Sequence, residues 1–196
     1  MGMFDSILGR SKPVQPDLDA LFRLPGAVLG LQAALGITAT GTGSVAFRAP
    51  AGRAFGEVQS EITALLSAPD LEGGAGPQVE VTHDSFGFTW VVLQHDPQDM
   101  PGLVTDLHAV NSTLQDTGFG STLLCSMVAL HVPDGRRVAL IYLFKQGTFY
   151  PFAPQPGSTQ QRDTMLELQI RDVVSEELPI EQTLGRWFAV WGAPGL

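Results

Sequence analysis

The chain has 196 residues, of which 44% are hydrophobic and 16% charged, with a formal net charge of −9 at pH 7. That length and composition predict one globular domain, residues 1–196, with a core that buries about 70% of the surface the unfolded chain exposes. The acidity weighs against nucleic acid and anionic lipid as partners, and a single cysteine, Cys125, excludes an intramolecular disulfide and any multi-cysteine zinc site.

The chain opens on MGMFDSILGRSKP, an amphipathic segment over 1–13. Met3, Phe4, Ile7 and Leu8 share a face, and Arg10 and Lys12 follow. Phe4 and Ile7 are candidate partner contacts, the alternative being that the segment packs onto its own domain. No basic region precedes an apolar run here, so no signal peptide is read. With one lone thiol, the expected location is cytoplasmic. In PDLDALFRLPGAVLGLQAALG, Leu18, Leu21, Phe22, Val28, Leu29 and Leu35 recur at helical spacing. Pro25 predicts a short helix before it and a longer one from about Gly26 to Leu35, stopped at Gly36. No continuous apolar run reaches the ~18–20 residues of a membrane-spanning helix.

ITATGTGSVAFRA reads as a strand or hairpin, with Val45 and Phe47 alternating on its second arm. A helix follows, with Phe55, Val58, Ile62, Leu65 and Leu66 on one face. After a Gly/Pro-rich loop over 68–78, Val79 and Val81 alternate on one arm of a hairpin, and Phe86, Phe88, Trp90 and Val92 share a face of the other. The next helix has Asp99 as N-cap, Pro101 in its first turn, Gly118 as stop and Leu103, Leu107, Val110 and Leu114 as its buried stripe. STLLCSMVALHV and RRVALIYLFK are two strands joined by a PDG turn.

In KQGTFYPFAP the chain is expected to leave the sheet, because proline donates nothing to a ladder. The aromatics there either cover a sheet edge or the end of the core, or face a partner. The last helix turns Leu166, Ile170, Val173 and Val174 inward, and the tail 179–196, with Trp187, Phe188 and Trp191, is too aromatic to float and docks on the domain. Helix, then strand–strand–helix three times, predicts an α+β fold: a mainly antiparallel sheet of about six strands with helices packed on one face.

Residues 54–135 hold eleven Asp or Glu, no Lys or Arg, and all four histidines, His83, His95, His108 and His131. An acidic surrounding favours imidazolium, so this stretch is a candidate for a response to mild acidification. The glycine-rich stretch lacks the Gly-Lys-Ser/Thr ending of a phosphate loop, and no Gly-x-Ser-x-Gly elbow occurs. Cys125 lies in an apolar run and reads as a small buried hydrophobe. The histidine spacing matches no zinc motif, so neither metal nor cofactor is expected.

Five stretches, MGMFDSILGRSKP, DSFGFTWVV, GLVTDLHAVNSTLQDTGFG, KQGTFYPFAP and RWFAVWGAPGL, together resemble the bacterial PspAB family, proteins associated with phage shock protein A. The resemblance covers nearly the whole chain. It implies a PspA-like coiled-coil partner that assembles on membranes, and an adaptor or regulator role in an envelope-stress response. It implies no catalytic residues. The expected function is therefore non-enzymatic protein–protein contact, through Phe149, Tyr150, Phe152, Trp187 and Trp191, with Phe4 and Ile7 as outlying candidates. Two other readings stand beside it: a small-molecule sensor with a pocket between sheet and helices, and a hydrolase using His83 and Asp84.

Overall fold

The computed structural model describes residues 16–48, 78–157 and 160–196, and within 49–77 only Gly56, Ser60, Ile62 and Ala64. Those four are helical, within the helix expected over 55–66, and Ile62 is buried. The expected contacts Phe4 and Ile7 lie outside the described residues.

A 3-10 turn over Leu18–Arg23 runs straight into helix α1, Leu24–Leu35. Pro25 sits in the first turn of α1, where its missing N–H costs nothing, and Gly36 ends the helix at φ 68°. The six strands are β1 (Thr38–Phe47), β2 (Gln78–His83), β3 (Thr89–Gln94), β4 (Leu123–His131), β5 (Arg137–Leu143) and β6 (Thr148–Phe152). Helix α2, Met100–Leu114, follows β3, and α3, Thr164–Val174, follows β6. The strands form one sheet in the order β2-β3-β1-β4-β5-β6, every pair antiparallel.

Six strands were expected, but one of the six is not among those anticipated. Of the strand or hairpin expected here, the structure has the strand. Thr38–Phe47 make one ten-residue strand at the centre of the sheet, and its register against β4 shifts between Ala39 and Gly43. Gly41 lies at φ 79°, and a Cβ there would meet the His95 carbonyl oxygen at 2.1 Å. The glycines that read as a turn serve a bulge, where the backbone must bend and a neighbouring chain comes close.

The sixth strand is Thr148–Phe152, the segment expected to leave the sheet. Pro151 is tolerated because β6 is an edge strand. Its outer side is partly paired: Phe149 N donates to Pro179 O, and Glu181 N donates to Phe149 O. An edge closed by a proline and a short returning segment offers little to a foreign strand.

Alternation along the strands divides the sheet into two buried faces. On one lie the helices. A Cβ on Gly43 would meet Leu103 of α2 at 2.9 Å, Asn111 Nδ2 donates to Ser126 Oγ, and the Tyr142 hydroxyl donates to the Asp17 carbonyl. Asp99 caps α2 by accepting from Gly102 N at 3.0 Å. Across the other face runs the C-terminal segment 179–196, largely without regular structure: Trp187 stacks on Tyr150, Trp191 meets Phe152 edge-on, and Gly195 packs against Thr42 and Ala129. Among the described residues, Leu18–Leu35 is the one helix long and apolar enough, by length and composition, to cross a membrane. It met that measure although no unbroken apolar run was expected to, because Asp19 and Arg23 interrupt the run without lowering its mean hydropathy enough. Its Leu21, Leu24, Ala27, Val28 and Leu31 are buried.

Candidate functional site

The aromatic residues expected to meet a partner are mostly interior. Phe149, Tyr150 and Phe152 have no exposed surface, and Trp187 keeps only 7%. These four are corrected to core residues. The reason is long-range: Tyr150 and Phe152 face the tail, which returns over them, while Phe149 packs on Tyr142 at 5.0 Å between ring centroids. The Tyr150 hydroxyl donates to Phe188 O, and burial holds its acidity far below that of a free phenol. Only Trp191 of the five stays half-buried.

Where the tail crosses the sheet, it leaves a groove between itself and the β2–β3 turn. One arm, about 370 Å³, is lined by Phe86, Phe88, Trp90, Leu124, Phe188 and Trp191, with Asp84 at its end. Two further hollows, about 250 and 460 Å³, share Leu124 with it. Leu124 is the extra residue of a β-bulge: Ala46 pairs with Cys125 and Phe47 with Leu123, so no residue of β1 faces it. That bulge leaves a half-buried leucine where the three hollows meet.

Asp84 shapes the turn. Its carboxylate accepts from Phe86 N at 2.8 Å, Phe88 N at 2.9 Å and Trp90 Nε1 at 3.0 Å. Desolvation pushes its pKa up, but the Trp90 indole and the turn amides outweigh it and hold the group below the usual carboxylate range. Arg48, Lys145 and Arg186 stand around the two further hollows. Arg48 lies 5.1 Å from the centre of the Phe88 ring, and Arg186 is bound to Glu181 at 3.4 Å. The groove lies between sheet and tail, not between sheet and helices as a pocket was expected to.

His83 and Asp84 do not form a pair. His83 Nδ1 bonds Thr89 Oγ1 at 3.0 Å, while the Asp84 oxygens are spent on their own turn. His95 is set between Asp99 at 3.2 Å and Asp106 at 2.8 Å, and His108 lies 3.6 Å from Asp19. Cys125 is buried, and burial pushes its thiol up to about 12, out of the range of a reactive thiolate.

A second surface lies on the helix side. Between Leu24 and Leu35 there is no charged residue, and the outward side of that helix carries Leu29, 67% exposed. Phe22, 49% exposed, precedes it by two turns and rests against the His108 ring. The signal was present in the sequence as an uncharged helical stretch. Periodicity alone grouped Phe22 and Leu29 with Leu18, Leu21, Val28 and Leu35 at helical spacing, without separating the buried from the exposed members.

The sequence matches, over residues 1–195, the model of a protein family described as PspAB, PspA associated protein B. No curated protein and no solved structure matches it.

Proposed function

The chain belongs to the PspAB family, and from that premise we propose that it is a cytoplasmic, non-enzymatic adaptor or regulator of a PspA-type envelope-stress response, acting by direct contact with PspA. The observation that carries this reading is the outward side of α1. A helix on the surface of a chain with net charge −9 shows no charge for twelve residues and exposes Leu29, and the turn that leads into it exposes Phe22. Surface leucines occur singly in many proteins, but an uncharged helical strip bearing Leu29, with a second exposed apolar residue, Phe22, two turns before it, is what a helical partner packs against.

The test is capture of the cognate PspA by the variant Phe22→Ser/Leu29→Glu. Both side chains are exposed, so the melting temperature should move by no more than a few degrees. Binding should weaken about tenfold or more, since a charge placed in an apolar contact is left unpaired. Undiminished capture with an intact fold rejects the helix as the contact. Failure of the unaltered protein to bind PspA at all rejects the adaptor reading itself.

A further inference from the structure

The groove over Leu124 has a polarity that contact with PspA does not explain. Its 370 Å³ arm is walled by aromatic rings and falls within the roughly 300–1,000 Å³ range of ligand sites. The one carboxylate in that arm, Asp84, has its oxygens occupied by three N–H groups. At the other end, beyond Leu124, the hollow is lined by Arg48 and Lys145, both exposed. Among the described residues neither forms a salt bridge. Of the other described cations, Arg136 is bound by Asp134 and Asp163, Arg162 by Glu167, Arg171 by Asp172 and Arg186 by Glu181, while Arg23 and Arg137, away from the groove, form no salt bridge either. What sets the groove apart is that two cations without a carboxylate partner, one of them over the Phe88 ring, stand together at the mouth of an apolar arm in a chain with nine more acidic than basic groups, which suits an anionic head joined to an apolar chain.

We propose that the groove binds a single-chain amphiphile with an anionic head, a free long-chain carboxylate. The chain lies between Phe88, Trp90 and the tail residues Phe188 and Trp191, and the head sits between Arg48 and Lys145. A neutral apolar ligand leaves the cations unused, and a phosphate without a chain leaves the aromatic arm unfilled. The site is on the face of the sheet away from α1, so it stands or falls separately from the PspA contact.

Two of the three tryptophans, Trp90 and Trp191, line the arm, so intrinsic fluorescence reads occupancy. The probe is dodecanoate with a terminal bromine as quencher, used below its micelle concentration. Saturable quenching is expected, with a rise in melting temperature. The brominated dodecyltrimethylammonium ion, of equal length and opposite charge, should not quench saturably. Arg48→Glu/Lys145→Glu should weaken dodecanoate binding about tenfold or more. Leu124→Trp, which fills the junction, should abolish it. Circular dichroism checks that each variant is folded, and Lys145→Gln serves as a milder charge variant should the double reversal unfold. No saturable quenching by dodecanoate, equal quenching by the cation, or indifference to loss of charge each rejects the proposal. So does quenching that occurs only with phosphatidylglycerol vesicles, which assigns the surface to membrane contact.

Discussion

Asp84, Asp163 and Glu181 each tie the chain to itself through a carboxylate held below its ordinary pKa. Desolvation acts against this at Asp84 and Glu181, but is outweighed by the Trp90 indole and turn amides in one case and by Thr183 N, the Thr148 hydroxyl and Arg186 in the other. At Asp163 the Arg136 guanidinium leads, followed by the amide of Leu166. A depressed folded value means that the unfolded chain takes up protons first as pH falls. The stabilisation is therefore complete above the unfolded values of 3.8 and 4.5, and is lost as pH drops through the lower folded ones. Asp163→Asn keeps a good N-cap for α3 and removes the charge that Arg136 meets. It should lower the melting temperature at pH 7, and the gap to the unaltered protein should close as pH approaches about 3. A gap that is independent of pH contradicts the assignment. Asp84→Asn turns an amide donor toward one of three N–H groups. The expected loss is about 1–2 kcal/mol by denaturant titration. Asp99 shows what was legible at this scale: a cap depends on residues three positions apart, and the sequence displays it. Tyr150 shows what was not. Whether a ring is core or surface there depends on residues almost forty positions downstream.

At the scale of elements, the C-terminal segment does for one sheet face what the helices do for the other. Two clamps hold it. Glu181 accepts from the Thr148 hydroxyl and from Thr183 N, fixing the segment beside β6. Glu167, almost wholly buried, accepts from Arg162 Nε at 2.8 Å and from Ala153 N, and Arg162 reaches on to Trp187 O. Arg162→Ala leaves a buried carboxylate without its cation and releases the Trp187 carbonyl, so a loss of roughly 3 kcal/mol is expected in chemical denaturation. A loss below about 1 kcal/mol means that the segment is held by its rings alone. Hydrophobic pattern showed that this tail docks, because Trp187 and Trp191 demand burial. It did not show where, since an irregular segment has no period to match against a strand. The same limit produced the error at Thr148–Phe152. A proline argues against a strand in mid-sheet and says little about one at an edge, and edge position is a property of the whole sheet.

For the whole molecule, fold class was readable because hairpin-like and helical periods alternate along the chain. Strand order was not, since β1 sits between β3 and β4, far from both in sequence. That arrangement has a functional consequence. The central strand is buried on both faces, with Gly43 against α2 and Thr42 against Gly195. The exposed strip of α1 and the Leu124 groove therefore lie on opposite sides of one antiparallel sheet. Close-packed interiors transmit strain only where an element has two arrangements to choose between. Among the described residues, none that lines the groove belongs to α1 or to the turn before it, so the two sites should be energetically independent. PspA affinity measured with and without saturating dodecanoate should agree within about 0.5 kcal/mol, and Leu29→Glu should leave dodecanoate quenching unchanged while Lys145→Gln leaves PspA capture unchanged. Should dodecanoate alter PspA affinity, reciprocity requires PspA to alter dodecanoate affinity by the same factor. The C-terminal segment, which walls the groove and is held to the sheet edge through Glu181, would then be the element that moves.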